Sequence, residues 1–339
     1  MKNLKPFIIT FPLVILLFLT ACKKKETTEP EPVTGLQEVS WVHSGGPMAD
    51  GEYLWINALA INSSGHVFVG VNDSAVYRST DNGANWIHTS EGIELEFIKN
   101  VSIYSLVLNN NGHIFAGYLN VFRSMNNGDN WINIGADLET YPLILLVNLQ
   151  QHIIAASQSL GFGVMRSVDN GDNWTHHAAG LENTEIRSLA LNSSNGELFV
   201  GTTNGVFRST NNGESWIQIG LTDNTVSAIA INTDGTLFAG DDYGEGIFKS
   251  TDNGANWTKS LDGLSMTVLL INSKGYIFAG TTDGASFSID NGKTWKDCDE
   301  GFQGHVTAIT AMAINSDGYI FAGTRFGGIY QSQESTMPK

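Results

Sequence analysis

The pattern of apolar and polar positions repeats along most of the chain. Short apolar stretches ending in Asn are followed by a turn and a second apolar stretch of Phe-Ala-Gly type. Leu59-Ala60-Ile61-Asn62 precedes Phe68-Val69-Gly70, Ile229-Ala230-Ile231-Asn232 precedes Phe238-Ala239-Gly240, and Met312-Ala313-Ile314-Asn315 precedes Phe321-Ala322-Gly323. Seven such pairs exist, the third degenerate (Leu146-Val147-Asn148, then Ile153-Ile154-Ala155-Ala156). Runs this short, bounded by Asn, Ser and Gly, predict strands rather than helices.

After each pair comes a second signature, Ser-x-Asp-x-Gly-x-x-Trp. It stands at Ser79-Asp81-Gly83-Trp86, Ser167-Asp169-Gly171-Trp174, Ser250-Asp252-Gly254-Trp257 and Ser288-Asp290-Gly292-Trp295. Asn replaces Asp at Ser124-Asn126-Gly128-Trp131 and Ser209-Asn211-Gly213-Trp216. The chemistry is that of a hairpin. Asp or Asn accepts from backbone N–H groups two residues on, Gly takes a left-handed conformation, Ser caps the turn and Trp packs back on the sheet. Asn keeps the acceptor oxygen, so those two hairpins are expected to form as well. Each unit supplies four short strands over roughly 40 residues, the spacing of a propeller blade.

These residues resemble the Asp-box, or BNR repeat, of sialidases, xyloglucan-cleaving glycosidases, sortilin-type receptors and photosystem II assembly factors. The resemblance spans residues 41 to 332 and implies a β-propeller, but not one activity, because those families do unrelated things. Register fixes the blade number. Trp41 leads without a motif serine and Ser332 trails without a tryptophan. Glu38 to Ser44 is therefore expected to be the outermost strand of the last blade, giving a single all-β, seven-bladed propeller closed by its N-terminal strand.

Charge and the first residues add an address. Lys2, Lys5, Lys23, Lys24 and Lys25 precede all 34 acidic residues, so the remainder is more acidic than the −16 of the whole chain. Such a surface excludes nucleic acid as a partner. Lys2 and Lys5 precede an apolar run from Phe7 to Ala21, which ends in Leu19-Thr20-Ala21-Cys22 and resembles a bacterial lipobox. The expected organisation is a signal peptide at 1–21, a lipidated tether at 22–33 starting with acylated Cys22, and a propeller at 34–339. Cys298, the only other cysteine, falls at an ordinary repeat position three residues after Trp295 and reads as structural.

The resemblance places the Asp-box hairpins on one face and the blade-to-blade connections on the other. Those connections are expected in Gly45–Asn57, Glu91–Ser102, Ala136–Pro142, Ala178–Arg187 and Asp299–Thr307, with shorter loops at Asp241–Gly246 and Thr324–Gly328. They carry Phe97, Tyr141 and Phe302, and acids such as Glu52, Glu94 and Glu139. The candidate ligand-binding set is Tyr53, Trp55, Tyr243, Asp241, Asp242, Glu245, Arg325 and Phe326, because aromatic platforms beside carboxylates suit sugar rings. Trp55 is the only tryptophan outside the repeat.

Specific chemistries fare poorly. A sialidase-like arginine triad cannot be assembled, since Arg78, Arg123, Arg166 and Arg208 all precede motif serines and only Arg187 and Arg325 remain. The xyloglucan-cleaving relatives resemble two propellers clasping a cleft, and here there is one. His66, His113 and His152 share one repeat position and His43, His88 and His176 another, so no metal site is expected; His305 stands alone. Asp169-Asn170-Gly171-Asp172 is only superficially similar to a calcium loop. The reading is a monomeric, non-catalytic envelope lipoprotein without cofactor or metal. It meets the membrane through its anchor and binds a glycan or protein on the loop face. The alternatives are a glycoside hydrolase or lyase using loop carboxylates, and an assembly factor for a membrane complex.

Overall fold

The computed structural model describes residues 36–336 except 37, 50, 95–100, 136–137, 139–141, 183 and 303–307. Contacts divide the chain into two units, Met1–Gly35 and Leu36–Lys339, and every described residue belongs to the second. The signal peptide, Cys22 and the tether lie outside the described residues. So do Phe97, Glu139, Tyr141 and His305.

Seven four-stranded antiparallel sheets form the ring. Blade 1 runs Ile56–Ile61, Val67–Val71, Val76–Ser79 and Ile87–His88, and the chain repeats this order outward five more times before the first three strands of blade 7. The first strand of each blade touches the first strand of the next, and that of blade 7, Ile309–Ile314, touches Ile56–Ile61 of blade 1. The outermost strand of blade 7 is Trp41–His43, in register Trp41↔Ser332, Val42↔Gln331 and His43↔Tyr330. The ring is closed by the N-terminal strand, as the unmatched Trp41 and Ser332 require, and no blade edge is left at the junction. A small hairpin, Met48–Ala49 with Glu52–Tyr53, precedes blade 1.

The core lies at the seams between blades. All five residues of the second strands Val67–Val71, Leu198–Thr202, Leu237–Asp241, Ile277–Thr281 and Ile320–Thr324 are buried. The Gly ending each Phe-Ala-Gly run has a steric cause. A Cβ on Gly240 would stand 2.5 Å from Met266 Cβ, and one on Gly323 2.5 Å from Ile56 Cγ2. Those partners belong to the next blade, so glycine here sets how closely two sheets approach.

Each motif hairpin is stitched more tightly than the sequence implied. In blade 1, Ser79 Oγ accepts from Gly83 N at 2.8 Å and donates to Asp81 Oδ1 at 2.8 Å, while Asp81 Oδ1 accepts from Asn85 N at 2.8 Å. The acid therefore reaches the N–H four residues on, not two. Asn126 and Asn211 do the same through Asn130 N and Ser215 N. Two residues, not one, take positive φ: Asn82 at 56° and Gly83 at 90°, which is why Asn precedes Gly in every copy. The acids become harder to protonate. Hydrogen bonds from the Asn173 side chain and backbone, then from Ser167, lower Asp169 to about 2.

The tryptophans bridge seams instead of closing only on their own blade. Trp131 Nε1 donates to Thr89 O at 2.8 Å, Trp257 to Ile219 O at 3.1 Å and Trp41 to Cys298 O at 2.7 Å, each acceptor in the preceding blade. Trp86 and Trp216 close on Gly83 O and Gly213 O of their own hairpins. Cys298 is 3% exposed, and burial, with Asp299 and Asp297 nearby, pushes its thiol well above the usual range. It is a packing residue.

Arginines before the motif serines form a second seam contact. Arg78 reaches Asp129 at 2.7 Å, Arg123 reaches Asp172 at 2.9 Å and Arg166 reaches Glu214 at 3.1 Å, each acid following the motif Gly of the next blade. Where that position is Ala255, Arg208 turns to Glu197 of its own blade. Where it is Lys293, the cation is Lys249, which donates to Asn291 O at 2.6 Å. His66 and His113 join the same seams, each Nδ1 accepting from the amides of Asn127 and Asn170 at 2.8 and 2.9 Å.

Candidate functional site

The strand order puts the motif hairpins, between third and fourth strands, on one face. The blade connections and the loops between second and third strands share the other. That second face carries the candidate residues. In blades 3 to 7 the loop after the second strand is built by one rule. The strand's last side chain accepts from a loop N–H: Thr202 from Asn204, Thr281 from Asp283, and Thr324 from Gly327 at 2.9 Å. Asp241 fills this same position in blade 5. It is 1% exposed, its Oδ1 accepting from Tyr243 N at 2.8 Å and Glu245 N at 3.1 Å, and its Oδ2 from Asn224 at 3.1 Å. Asp241 is thus a loop brace, and what it presents to solvent is Tyr243, 79% exposed. Asp242 is half-buried, its N–H donating to Thr225 O. Glu245 pairs with Lys259 at 2.8 Å.

The remaining candidates meet at the junction of blades 7 and 1. The hairpin before blade 1 is closed by Leu54 N donating to Pro47 O at 3.0 Å, and Asn72 N donates to Trp55 O at 3.0 Å, fixing the Trp55 backbone. The Thr324–Gly328 loop, braced as above, brings Arg325 over the Trp55 ring at 4.0 Å and Phe326 to 5.9 Å from it. Phe326 is 72% exposed and Trp55 half-buried. A guanidinium flat on an indole keeps its N–H edges free for a ligand. Among the described residues no acid pairs with Arg325, whereas each of the other five arginines has one. Trp55 Nε1 is buried without a partner among the described residues. Beside it, Ser102 Oγ donates to Asn72 Oδ1 and accepts from Asp73 N, both at 3.0 Å.

Tyr53 serves this cluster from beneath. Its ring meets His43 edge-on at 4.9 Å and packs on Gly328, where a Cβ would come within 2.9 Å of it. Phe302 is engaged elsewhere, stacked on Trp41 at 5.1 Å. The structure therefore gathers Tyr53, Trp55, Arg325 and Phe326 at one junction. Asp241, Asp242, Tyr243 and Glu245 stand in blade 5, with blade 6 between. Asn72, Asp73 and Ser102 were not singled out from the sequence; their only signal was an Asn-Asp pair in the corresponding loop of blade 1. Among the described residues no group of three His, Cys, Asp or Glu side chains is placed to hold a metal ion.

Comparison with known proteins bears on the fold. A family model, the DUF6242 beta propeller domain, matches residues 145–267, from the first strand of blade 3 to that of blade 6. The chain is a β-propeller. No curated protein matches it. Among solved structures it is similar to the extracellular domain of BT4673 from B. thetaiotaomicron, with 15% identity and a TM-score of 0.68 over 88% of this chain and 40% of that one. It thus spans less than half the length of the BT4673 structures it matches. YCF48 bound to D1 peptide gives 16% identity and a TM-score of 0.68, covering 88% of this propeller and 98% of that chain. An ancestral GH74 enzyme gives 18% and 0.69, covering 86% and 46%. At such identities the likeness is one of fold.

Proposed function

We propose that the protein is an exported, lipid-anchored Asp-box propeller that binds a ligand, without catalysis, through the Trp55–Arg325–Phe326 platform. The carrying observation is the Arg325–Trp55–Phe326 cluster, in which exposed Arg325 and Phe326 flank a half-buried indole and the guanidinium lies 4.0 Å from it with no acid partner among the described residues. Their backbone positions recur, since Arg325 N donates to Ala308 O as Asn72 N donates to Trp55 O, but the other blades fill those positions with different side chains, and Trp, Arg and Phe are the residues that concentrate binding energy at interfaces. The candidate acids of blade 5 favour a binding role over hydrolysis, because Asp241 braces its loop and Glu245 is ion-paired. A glycosidase needs two carboxylates facing one bond.

Anchoring rests on Leu19-Thr20-Ala21-Cys22 and the polar stretch after it. Export agrees with the BT4673 likeness, since those propellers are extracellular domains. The test of the platform is a glycan-array screen of the full-length chain in detergent, repeated with Trp55→Ala and Phe326→Ala. Binding lost in both variants, with melting temperatures near wild type, is the expected result. Binding that survives both variants overturns the assignment.

A further inference from the structure

The first strands surround the central channel, and most begin with a slip in pairing at the end nearest the platform. The slip lies between Ile56 and Ala58, Pro142 and Ile144, Ile186 and Ser188, Val226 and Ala228, Met266 and Val268, and Ile309 and Ala311. The residue inside it is Asn57, Leu143, Arg187, Ser227, Thr267 or Thr310. Such bulges re-aim one side chain. In blades 5, 6 and 7 that side chain is a hydroxyl spanning the seam. Ser227 Oγ donates to Met266 O at 2.6 Å, Thr267 Oγ1 to Ile309 O, and Thr310 Oγ1 to Ile56 O.

The hydroxyl series stops at blade 1. Asn57 Nδ2 is buried with no partner among the described residues. In blade 2 the same position is Tyr104, which precedes the Ser105↔Gly117 pair as Asn57 precedes Ala58↔Gly70; it is 43% exposed and stacks on Tyr118 at 6.0 Å. In blade 4 it is Arg187, donating to Glu185 at 2.9 Å with both side chains a third exposed, while Ser188 takes over the seam contact. A buried donor left unmade costs stability that a Ser or Thr here would avoid, as three blades demonstrate.

We propose that the channel-mouth positions of blades 1, 2 and 4, Asn57, Tyr104 and Arg187 with Glu185, flank blade 3 as a saccharide subsite. An amide, an aromatic face and a separable Arg–Glu pair together offer donors, an acceptor and a stacking surface to a hydroxyl-rich ring, and the net charge of −16 disfavours phosphate. The subsite rests on the binding role of this face and extends it, because Asn57 is two residues from Trp55.

The experiment is Asn57→Thr in the full-length protein, with maltotetraose, cellotetraose and chitotetraose as probes in saturation-transfer NMR. The variant is expected to melt about 2 to 4 °C higher, as the hydroxyl completes the seam, and to bind its tetrasaccharide about tenfold more weakly. Tyr104→Ser, at an exposed position, is expected to weaken binding with no rise in melting temperature. Unchanged or lower melting for Asn57→Thr overturns the seam argument, and unchanged binding overturns the subsite. Binding lost in Trp55→Ala but intact in Asn57→Thr and Tyr104→Ser removes the subsite and leaves the platform standing. No probe binding to wild type overturns the saccharide class, while the platform is then judged on protein partners.

Discussion

On the face of the motif hairpins the same contacts recur at several seams: a cation reaching an acid or carbonyl of the next blade, and a tryptophan N–H reaching a carbonyl of the preceding one. On the opposite face the blades share only their loop braces. One junction there carries a stacked Arg-Trp-Phe set, another a Tyr pair, another an Arg–Glu pair. In a molecule made of seven similar blades, what recurs answers to the ring and what occurs once answers to something outside it. The exceptions within the recurring set make the point sharply. Arg208 loses its cross-seam acid to Ala255 and takes Glu197 within its own blade, so the seam contact is a coupled pair and not a general preference for arginine.

The comparison breaks most visibly at the tryptophans. Trp131→Ala should cost about 3 to 5 kcal/mol by leaving a cavity and an orphaned Thr89 carbonyl, whereas Trp55→Ala should cost less than about 1 kcal/mol and remove binding. Denaturant titration of both variants checks this. Equal losses would mean that Trp55 belongs to the core after all. Next in size, Gly240→Ala should destabilise by about 1 to 3 kcal/mol, since its methyl meets Met266 across the seam. Gly235→Ala, with open space around it but φ at 84°, separates steric from conformational cost in the same assay.

Smaller effects sharpen the contrast. A double-mutant cycle on Arg123 and Asp172 should return a coupling of about 0.2 to 1 kcal/mol, because the acid is largely exposed. The cycle on Arg208 and Ala255→Asp tests whether the cross-seam pair can be rebuilt where it is missing. The smallest effect concerns pH. Asp169 titrates below its unfolded value of 3.8, at about 2, so the folded state holds fewer protons and the contribution is present above pH 4. It is lost as pH falls toward 2. Melting curves across that window should be flatter for Asp169→Asn than for wild type.

Strand order, blade number and the closing strand were legible in the sequence because they follow from spacing, and spacing survives without coordinates. The seam contacts were not. Arg123 and Asp172 sit in different repeats, and reading each motif as a self-contained hairpin hid the fact that its first partner is the next hairpin. Asp241 shows the same limit. Counted among loop acids it resembled a ligand contact, yet it stands where other blades place Ser or Thr, and that position braces the loop. Trp55 and Phe326 were separately conspicuous, but only ring closure brings residues so distant along the chain within 5.9 Å.

That closure has a bearing on time. Trp41 pairs with Ser332, so the earliest strand of the ring waits for the last before it has a partner. Six blades can form from neighbouring residues as they emerge, each a local event, while the seventh depends on a search across nearly the whole length of the chain. The final step of folding is therefore expected to be the slow one, and until it is complete the junction of blades 7 and 1 does not exist. The platform of Trp55, Arg325 and Phe326 assembles only then, so a protein able to bind through it is one whose ring has already locked.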